Sequence, residues 1–346
     1  MLIRQEIKIG SCYHTGALVP NSWRKPLETS PRPRRAKAYW LLLLVGLALL
    51  VLLIAHIGPQ TMLAAWRRAD KSLLAAAVAL FCFGLLARAV KWRLFLRVAT
   101  HEVSYLDALR AYVLNAFFAN VTPGRSGELF APVWLARHGV PAATGYAVVI
   151  VDHMLDAVIV LALFAAAVLN LNRIAPADSG ALRAAGLIAL VMVAAALVLV
   201  LFALLRLDLA IGFLSRFTGR LASRVRGALV LFREALVPFR HRGVLAVNFC
   251  ISLLAWLTDL TTSYLVVRSV LPGLRWTDSA TGSMFAVAAA LASFVPGGLG
   301  VGAVGFTAVM ALLGYDAAAA GSGAVLMTLL TQIVRASAAG LLAGKK

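Results

Sequence analysis

Ionisable side chains inside long apolar stretches are the residues of this sequence whose types could do chemistry. They are Glu128, Asp152, His153, Asp156, Asp259 and Arg335, with the amide Gln332 beside the last of them. A charge near the centre of a bilayer costs roughly 2.5–3.5 kcal/mol on insertion scales, so each group needs a partner, water or a proton. Charge balance or proton coupling is therefore the role that we predict for Asp152, Asp156, Asp259 and Arg335.

Asp152 and Asp156 stand four residues apart, which places both carboxylates on one face of a helix. Carboxylates so close repel each other, so one of them could hold a proton and couple proton movement to transport. Equally, Arg125 or Arg335 could neutralise the pair. His153 points about 100° away from Asp152 around the helix, and a structural hydrogen bond is its simpler interpretation.

Asp259 and Arg335 also have simpler interpretations. Asp259 could make a polar contact between two helices, as polar side chains in membrane bundles do. Arg335 lies about ten residues before the last residue of the sequence, so its long side chain could extend to the membrane surface.

Two Pro-Gly motifs each lie between two apolar segments. The first is Pro123-Gly-Arg-Ser-Gly-Glu128 and the second is Pro296-Gly-Gly-Leu-Gly300. Because Pro removes a helix donor and Gly permits non-helical backbone, each motif should break a helix. Such backbone cannot face lipid, so it must be buried in protein or line a wet cavity. The alternative is that both motifs are loops between ordinary helices.

A broken helix directs free N–H groups and a positive dipole end toward the middle of the bilayer, which suits an anionic group. Arg125 could pair with a phosphate there. Glu128 could pair with Arg125, cap backbone donors or take up a proton. We predict a substrate-binding site from both motifs, formed by Pro123, Gly124, Arg125, Gly127, Glu128, Pro296, Gly297, Gly298 and Gly300.

The composition requires that these groups be treated as membrane-embedded. Of 346 residues, 62% are hydrophobic and 14% are charged, and the mean hydropathy is +0.89. Soluble domains carry about 45–50% apolar and about 25% charged residues, so a soluble globule and a disordered chain are both excluded. The cysteines, Cys12, Cys82 and Cys250, are far apart and predict neither a disulfide framework nor a metal site. No cofactor is expected.

Six apolar runs are long enough to span a bilayer as helices. They lie at about 38–57, 73–90, 142–169, 181–205, 244–267 and 317–343. Two further stretches, at about 107–135 and 279–314, contain the Pro-Gly motifs and should dip into the membrane and return. The predicted fold is an all-α polytopic membrane protein with about six spans and two opposed re-entrant hairpins, an inverted repeat typical of transporters.

Lys and Arg predict the orientation, because cytoplasmic segments of membrane proteins are enriched in them. If the basic, disordered segment 1–37 is cytoplasmic, 23 of the 33 Lys and Arg residues lie on that side. The cytoplasmic Lys and Arg residues outside segment 1–37 lie in the connection 88–110, in segment 206–242 and at Lys345 and Lys346. The transmembrane domain 38–343 is thus predicted to lie in the inner membrane, with both termini cytoplasmic.

The arginine-rich segment 206–242 is too polar to span a membrane. Arg216, Arg220 and Arg224 recur every four residues and share one helical face. This pattern predicts a helix on the cytoplasmic surface, bound to anionic headgroups, and the alternative is a solvated loop that only enforces topology. The net charge of +19 therefore points to membrane lipids as partners, and nucleic acid is not expected.

The sequence lacks the common catalytic motifs, so we expect no enzyme. Gly300-Val-Gly302-Ala-Val-Gly305 fits the dinucleotide-binding pattern, but no strand precedes it. The first Pro-Gly motif lacks the Lys-Ser/Thr of a phosphate-binding loop, and neither H-E-x-x-H nor G-x-S-x-G occurs. Close helix packing is the better interpretation of Gly298, Gly302 and Gly305.

With these motifs, the sequence resembles the flippase-like, YbhN-type membrane family, which is the transmembrane region of lysylphosphatidylglycerol synthases. PGRSGE at 123–128 and PGGLGV at 296–301 carry the resemblance over about residues 38–343. Asp152, Asp156 and Arg335 fall where that family tends to have polar residues. The resemblance implies binding or translocation of an amphiphile with a charged head, and some relatives are linked to hopanoid or polyprenoid-lipid pathways.

Two departures from the family pattern limit what the resemblance implies. Family members often have an acidic residue soon after the second motif, where this sequence has Gly302-Ala303. The soluble aminoacyl-transferase domain of the full synthases is expected to be missing, so synthesis of lysyl lipid is not expected.

The leading functional hypothesis is a lipid transporter or flippase for an anionic lipid or a polyprenoid-linked amphiphile. A second hypothesis is an intramembrane lipid-modifying enzyme that uses Asp152 and Asp156 as acid and base. A third is a non-catalytic membrane partner of a lipid-biosynthesis enzyme, which would bind through segment 206–242.

Overall fold

The computed structural model describes residues 33–100, 103–174, 207–216, 219–240 and 242–343, with positions 191, 194, 195 and 198. Apart from those positions, the predicted span 181–205 lies outside the described residues, as does the chain before Pro33. The chain divides into two units, Met1–Ala38 and Tyr39–Lys346. The first unit contributes the beginning of helix α1, and the site described below belongs to the second.

All the extended regular elements of the described residues are helices. They are α1 (Pro33–Ile57), α2 (Pro59–Arg68), α3 (Lys71–Thr100), α4 (Tyr105–Val121), α5 (Phe130–Arg137), α6 (Ala142–Ile174), α7 (Leu207–Leu214), α8 (Arg220–Leu236), α9 (Arg242–Arg268), α10 (Trp276–Ser293), α11 (Val301–Leu312) and α12 (Ala317–Ala343). Short 3-10 segments lie at Pro123–Leu129, Val237–Arg240 and Pro296–Gly298.

Four helices are long and apolar enough to cross a membrane. They are α3, α6, α9 and α12, over Lys71–Ala99, Ala142–Leu171, Gly243–Arg268 and Ala317–Ala343. These ranges contain the predicted spans 73–90, 142–169, 244–267 and 317–343. The predicted span 38–57 does not form a membrane-length helix by itself. The chain bends by 80° between α1 and α2, and only the two helices together are long and apolar enough for one span. The described residues therefore contain four or five spans, where the sequence predicted about six in the whole chain.

The first Pro-Gly motif is the turn of a helical hairpin formed by α4 and α5. The rings of Phe118 and Phe130 lie 4.4 Å apart, and the Asn115 Oδ1 atom accepts a hydrogen bond from the Ala131 amide at 3.4 Å. Gly127 lies so close to α4 that a Cβ atom there would be 2.2 Å from the Phe118 carbonyl oxygen. Only glycine fits this close approach, and it allows the chain to reverse direction at the motif.

The second Pro-Gly motif is the turn of another helical hairpin, formed by α10 and α11. A Cβ atom on Gly298 would lie 2.5 Å from the Ala290 Cβ atom, and one on Gly305 would lie 3.3 Å from the Ala289 Cβ atom. The predicted role of these two glycines in close packing is therefore confirmed. A Cβ atom on Gly302 would make only an ordinary contact of 3.7 Å with the Ala286 carbonyl oxygen. Both interrupted stretches thus fold as hairpins, and their relation as an inverted repeat stays a prediction.

The described part of segment 206–242 is mostly helical. The end of α8 and the 3-10 turn after it pack on the protein core through Leu236 and Phe239, and the Phe239 ring lies 5.4 Å from that of Phe95. Arg216 and Arg226 are exposed. The helical part of the prediction thus agrees with the described residues, and contact with lipid headgroups stays a prediction.

Candidate functional site

The largest group of buried charges lies where α3, α6 and α9 meet. The Lys91 side chain is almost fully buried, and its Nζ atom lies 2.5 Å from the Asp152 Oδ1 atom and 3.0 Å from the Asp156 Oδ1 atom. The same ammonium donates a hydrogen bond to the Ser252 Oγ atom at 2.7 Å. Helix α3 thus supplies one cation to two carboxylates of α6, which share one face as predicted.

This arrangement changes the interpretation of the aspartate pair. Trp92 Nε1 donates to the second oxygen of Asp152 at 3.0 Å, so both oxygens of this carboxylate have partners. The predicted proton uptake depended on repulsion between the two carboxylates. The positive charge of Lys91 compensates this repulsion. Neither Arg125 nor Arg335 forms an ion pair with these aspartates among the described residues.

Asp259 makes a second ionic contact between α3 and α9. The Arg88 Nη2 atom donates to the Asp259 Oδ2 atom at 2.7 Å, and Nη1 donates to Oδ1 at 3.3 Å. Two parallel bonds of this kind are the strong geometry of guanidinium and carboxylate. The interpretation of Asp259 as a polar contact between helices is confirmed.

Arg88 and Lys91 correct the sequence analysis, which placed them in a cytoplasmic connection at 88–110. Both belong to α3, which continues to Thr100, and both are buried, with 8% and 0% of their surface exposed. The available signal was the excess of carboxylates over cations in the apolar runs, because buried carboxylates need nearby cations. Hydropathy ended the apolar run at about residue 90 and so missed the two partners.

Arg125, Glu128 and His153 form a second ionic cluster beside the first hairpin turn. The Arg125 Nε atom donates to the Glu128 Oε1 atom, and the His153 Nε2 atom lies 2.8 Å from Glu128 Oε2. The other ring nitrogen of His153 lies 2.7 Å from the Val149 carbonyl oxygen, so it must donate a hydrogen to it. The predicted pairing of Glu128 with Arg125 and the structural hydrogen bond of His153 are both present.

The turns of the two hairpins meet at Asn120, near the end of α4. A Cβ atom on Gly297 would lie 3.0 Å from the Asn120 carbonyl oxygen and 3.1 Å from the Gln332 Nε2 atom. Arg335 of α12 reaches the same place, with its Nη1 atom 3.5 Å from the Asn120 Oδ1 atom. Its guanidinium carbon lies 5.1 Å from the centre of the Phe81 ring.

Arg335 is partly buried and differs in its partners from the other cations of this region. Among the described residues, no carboxylate oxygen lies within 4.0 Å of its guanidinium, whereas Arg88, Lys91 and Arg125 each have at least one. A long contact to a neutral amide and a ring face compensate a partly buried charge only in part. Arg335 therefore retains donors for another acceptor.

A cavity of about 490 Å³ lies at this place. Its polar wall contains all three arginines of the region and two carboxylates, and these are Arg88, Arg125, Arg335, Asp156 and Asp259. Its apolar wall comes largely from the second hairpin and includes Val287, Leu291, Phe294, Val295 and Phe306. The cavity is thus amphipathic, with charged groups on one side and hydrocarbon on the other.

The predicted site residues divide between the cavity wall and its supports. Arg125, Gly297 and Gly298 line the cavity, and so do Asp156, Asp259 and Arg335 from the charge-balance group. The supports are Gly127, Glu128, Asp152, Pro296 and Gly300, while Pro123 and Gly124 are described only as the beginning of the 3-10 turn. Gly300 packs on α1, since a Cβ atom there would lie 2.4 Å from the Gly46 carbonyl oxygen.

The cavity wall suits an anionic group better than a metal ion. Within the described ranges, no group of three or more His, Cys, Asp or Glu side chains could hold a metal. The positions where the family often has an acidic residue, Gly302 and Ala303, line the cavity without adding charge. A guanidinium with free donors is the arrangement that binds phosphate or carboxylate oxygens.

Membrane-length helices around an amphipathic cavity define a multi-pass membrane protein. The family model described as "Lysylphosphatidylglycerol synthase TM region" matches residues 39–339, and the chain belongs to this family. The chain is also 24% identical over 315 residues to the UPF0104 membrane protein PH1989 of Pyrococcus horikoshii. This similarity covers 85% of the chain and 92% of the relative. The resemblance seen in the two Pro-Gly motifs is thereby confirmed.

Proposed function

We propose that this protein is a membrane lipid transporter that holds the headgroup of an anionic lipid, or of a polyprenoid-linked amphiphile, in the central cavity. The observation that carries the proposal is Arg335, a guanidinium in the cavity wall without a carboxylate partner among the described residues. A partly buried cation of this kind, in the wall of a cavity, costs free energy until an anion compensates it. A phosphate in the cavity would supply that compensation.

The other charges of the wall have different tasks in this proposal. The pair of Arg88 and Asp259 holds α3 and α9 together beside the cavity. Arg125 stands at the first hairpin turn, and a lipid phosphate would compete with Glu128 for its guanidinium. Arg335 would thus bind the phosphate without displacing a carboxylate of the protein, whereas Arg125 would bind it only after release from Glu128. Membership in a family named for a lipid synthase region agrees with a lipid ligand.

The enzyme hypothesis is supported less well by the geometry. Acid and base catalysis by Asp152 and Asp156 needs both carboxylates within reach of a substrate. Asp152 has 7% of its side chain exposed, and Lys91 and Trp92 occupy both of its oxygens. It also contributes nothing to the cavity wall, whereas Asp156 does. The pair is therefore better suited to stability than to catalysis.

The orientation and the partners belong to the proposal as well. We place the protein in the inner membrane with both termini in the cytoplasm, on the distribution of Lys and Arg. Arg216 and Arg226 would then lie exposed on the cytoplasmic side and contact anionic headgroups there. A lipid-biosynthesis enzyme that uses the same surface is a further partner in this proposal.

Transfer of labelled phosphatidylglycerol in reconstituted vesicles tests the function. Fluorescent lipid is placed in one leaflet, and the fraction that becomes accessible to a quencher from the other side is followed with time. Wild-type protein should accelerate transfer above protein-free vesicles. Arg335→Gln should slow it on the order of 10- to 100-fold, the loss expected when a charged hydrogen-bond partner is removed.

Two control variants separate the role of Arg335 from a general effect of charge. Arg97 is exposed on α3 and is not part of the cavity wall, so Arg97→Gln should transfer lipid at the wild-type rate. Arg335→Lys keeps the charge without the planar pair of donors and should recover only part of the rate. Wild-type transfer by folded Arg335→Gln protein would contradict the proposal.

A further inference from the structure

The opening of the cavity is marked by three residues of its wall. Arg125, Leu291 and Phe294 are exposed, whereas all the others that line the cavity are buried or only partly exposed. Phe294 has 63% of its surface exposed and Leu291 has 51%. Arg125 belongs to the first hairpin turn, and Leu291 and Phe294 belong to the second hairpin. The cavity thus reaches the molecular surface at the two hairpins, next to one cation and two large apolar side chains.

Two of these three residues have an unusual backbone conformation. Arg125 has φ 57° and Phe294 has φ 53°, and they are the only non-glycine residues with positive φ in the described part of the chain. This left-handed conformation costs free energy for residues with a Cβ atom, and such residues cluster at functional sites. One comes from each Pro-Gly motif region, and both line the same cavity. Their positions at the opening therefore depend on the breaks in the two hairpins.

The chemistry of the wall changes between the opening and the interior. Inward from Leu291 and Phe294, the cavity wall continues with the apolar side chains of Val287, Val295 and Phe306. Arg335 lines the same cavity, and no carboxylate of the described residues lies within 4.0 Å of its guanidinium. An anion that carries a hydrocarbon chain fits both parts of this wall, whereas a free anion leaves the apolar part exposed to water.

We propose that this opening is a lateral entrance for an amphiphile that carries a phosphate on a hydrocarbon chain, directly or through a linker such as glycerol. The phosphate lies at Arg335, and the chain passes over Leu291 and Phe294 into the bilayer. This inference rests on the proposed function, since it names the ligand class and the entrance of the same cavity. Leu291 and Phe294 are then the residues that select lipids over water-soluble anions.

The size of the cavity agrees with this arrangement. Pockets that enclose a drug-sized ligand have volumes of about 300–1,000 Å³, and this cavity has about 490 Å³. A headgroup and the first part of a chain fit in that volume, and the rest of a long chain must leave it. The exposed apolar pair at the opening gives the chain a continuous path to lipid.

Binding of a series of alkyl phosphates to the purified protein tests the entrance. Inorganic phosphate, butyl phosphate and octyl phosphate are titrated against protein in amphipol, and heat is measured. Wild-type affinity should rise with chain length, up to about fourfold for each methylene that becomes buried, which is the fold-change equivalent to one buried CH₂ group. Leu291→Ser with Phe294→Ser should reduce this rise to less than twofold per methylene and leave the affinity for inorganic phosphate unchanged.

A matched pair of exposed apolar residues outside the cavity wall provides the control. Phe83 has 48% of its surface exposed and Leu254 has 44%, and neither lines the cavity. The double variant Phe83→Ser and Leu254→Ser should keep the wild-type dependence on chain length. The proposed entrance would be overturned if the Leu291 and Phe294 double variant kept the wild-type dependence of affinity on chain length. It would also be overturned if wild-type protein bound inorganic phosphate and octyl phosphate with equal affinity.

The result can be separated from that of the transport assay. Wild-type protein that transfers lipid in vesicles, with chain dependence unaffected by Leu291 and Phe294, would overturn the entrance and leave the transporter standing. Wild-type protein that binds octyl phosphate through these residues but transfers no lipid would support the entrance and overturn the transporter.

Discussion

Two regions of intramembrane charge in this protein have opposite balances. Around Lys91, two carboxylates and a hydroxyl surround one ammonium, and the Trp92 indole donates to the second oxygen of Asp152. Around Arg335, the contacts are an amide oxygen at 3.5 Å and the face of Phe81. The first region needs nothing further from outside the protein, and the second has donors left for a ligand.

From this difference we infer that the charges inside this protein serve two separate purposes. Charges that are paired between α3, α6 and α9 hold helices together, because a helix bundle in lipid gains little from the hydrophobic effect between its helices. A charge that lies in a cavity wall without a counter-ion is costly to the protein alone and becomes favourable with an anionic ligand. Substitutions should therefore affect stability in one region and binding in the other.

The largest effect is expected for Lys91→Met. This change leaves Asp152 and Asp156 buried without their cation, and breaking a buried ion pair from one side costs about 3–5 kcal/mol. The free energy of unfolding in detergent should fall by that amount, or folded protein should be lost. Arg97→Met removes an exposed cation from the same helix and should leave stability nearly unchanged. Equal stability of the two variants would contradict the structural role of Lys91.

Arg335→Met should have the opposite effect on stability. Its guanidinium has no carboxylate within 4.0 Å among the described residues, so its removal relieves a desolvation cost and breaks no ion pair. We expect an unchanged or raised midpoint of thermal unfolding without ligand, and a loss of stabilisation by octyl phosphate. A drop of stability as large as that of Lys91→Met would show that Arg335 is structural.

A smaller effect is expected for Glu128→Gln. Glu128 holds Arg125 at the opening of the cavity, so its neutralisation makes that guanidinium available to an anion. The affinity for octyl phosphate should rise by roughly threefold to tenfold, which is the scale of one modest electrostatic contact. Asp107 provides the control, because it pairs with Arg110 at 3.4 Å on α4 and neither residue lines the cavity. Asp107→Asn should leave the affinity unchanged, and a lower affinity in Glu128→Gln would contradict competition for Arg125.

The smallest effect is expected at the beginning of α3, outside the membrane-spanning part. The Ser72 hydroxyl and the amides of Leu73 and Ser72 donate to the Asp70 carboxylate, and these bonds hold the pKa of Asp70 below its ordinary value. Because the pKa is lowered in the folded state, the stabilisation is present at neutral pH and is lost as the pH falls through the folded pKa. Asp70→Ala should lower the unfolding midpoint slightly at pH 7, and the difference from wild type should shrink as the pH falls below the ordinary aspartate pKa of about 3.9. A difference that grows at low pH would contradict this role.

The sequence predicted much of the fold, because hydropathy over about 20 residues and Pro-Gly breaks are local signals. It located α6, α9 and α12 closely and placed both hairpin turns at the motifs that form them. It missed the continuation of α3 beyond residue 90, because Arg88 and Lys91 look like the end of a span in a hydropathy profile. A cation at the end of an apolar run can be recognised as embedded only from its partner on another helix.

The candidate site was predictable in its residue types and less so in its pairings. Arg125 and Glu128 are three residues apart in one motif, so their contact followed from sequence alone. The contact of Arg335 with Asn120 joins α12 to α4 across 215 positions, and no local pattern encodes it. Leu291 and Phe294 are ordinary apolar residues in the sequence, and only the cavity gives them a role.

Binding of a lipid phosphate at Arg335 can be observed in an experimental structure of the protein in nanodiscs that contain phosphatidylglycerol. We expect density for a phosphate within about 2.7–2.9 Å of the Arg335 guanidinium, the distance of a charged hydrogen bond. The density should continue as a chain over Leu291 and Phe294. Arg335 paired instead with a carboxylate of the protein, in a cavity that contains only water, would contradict it.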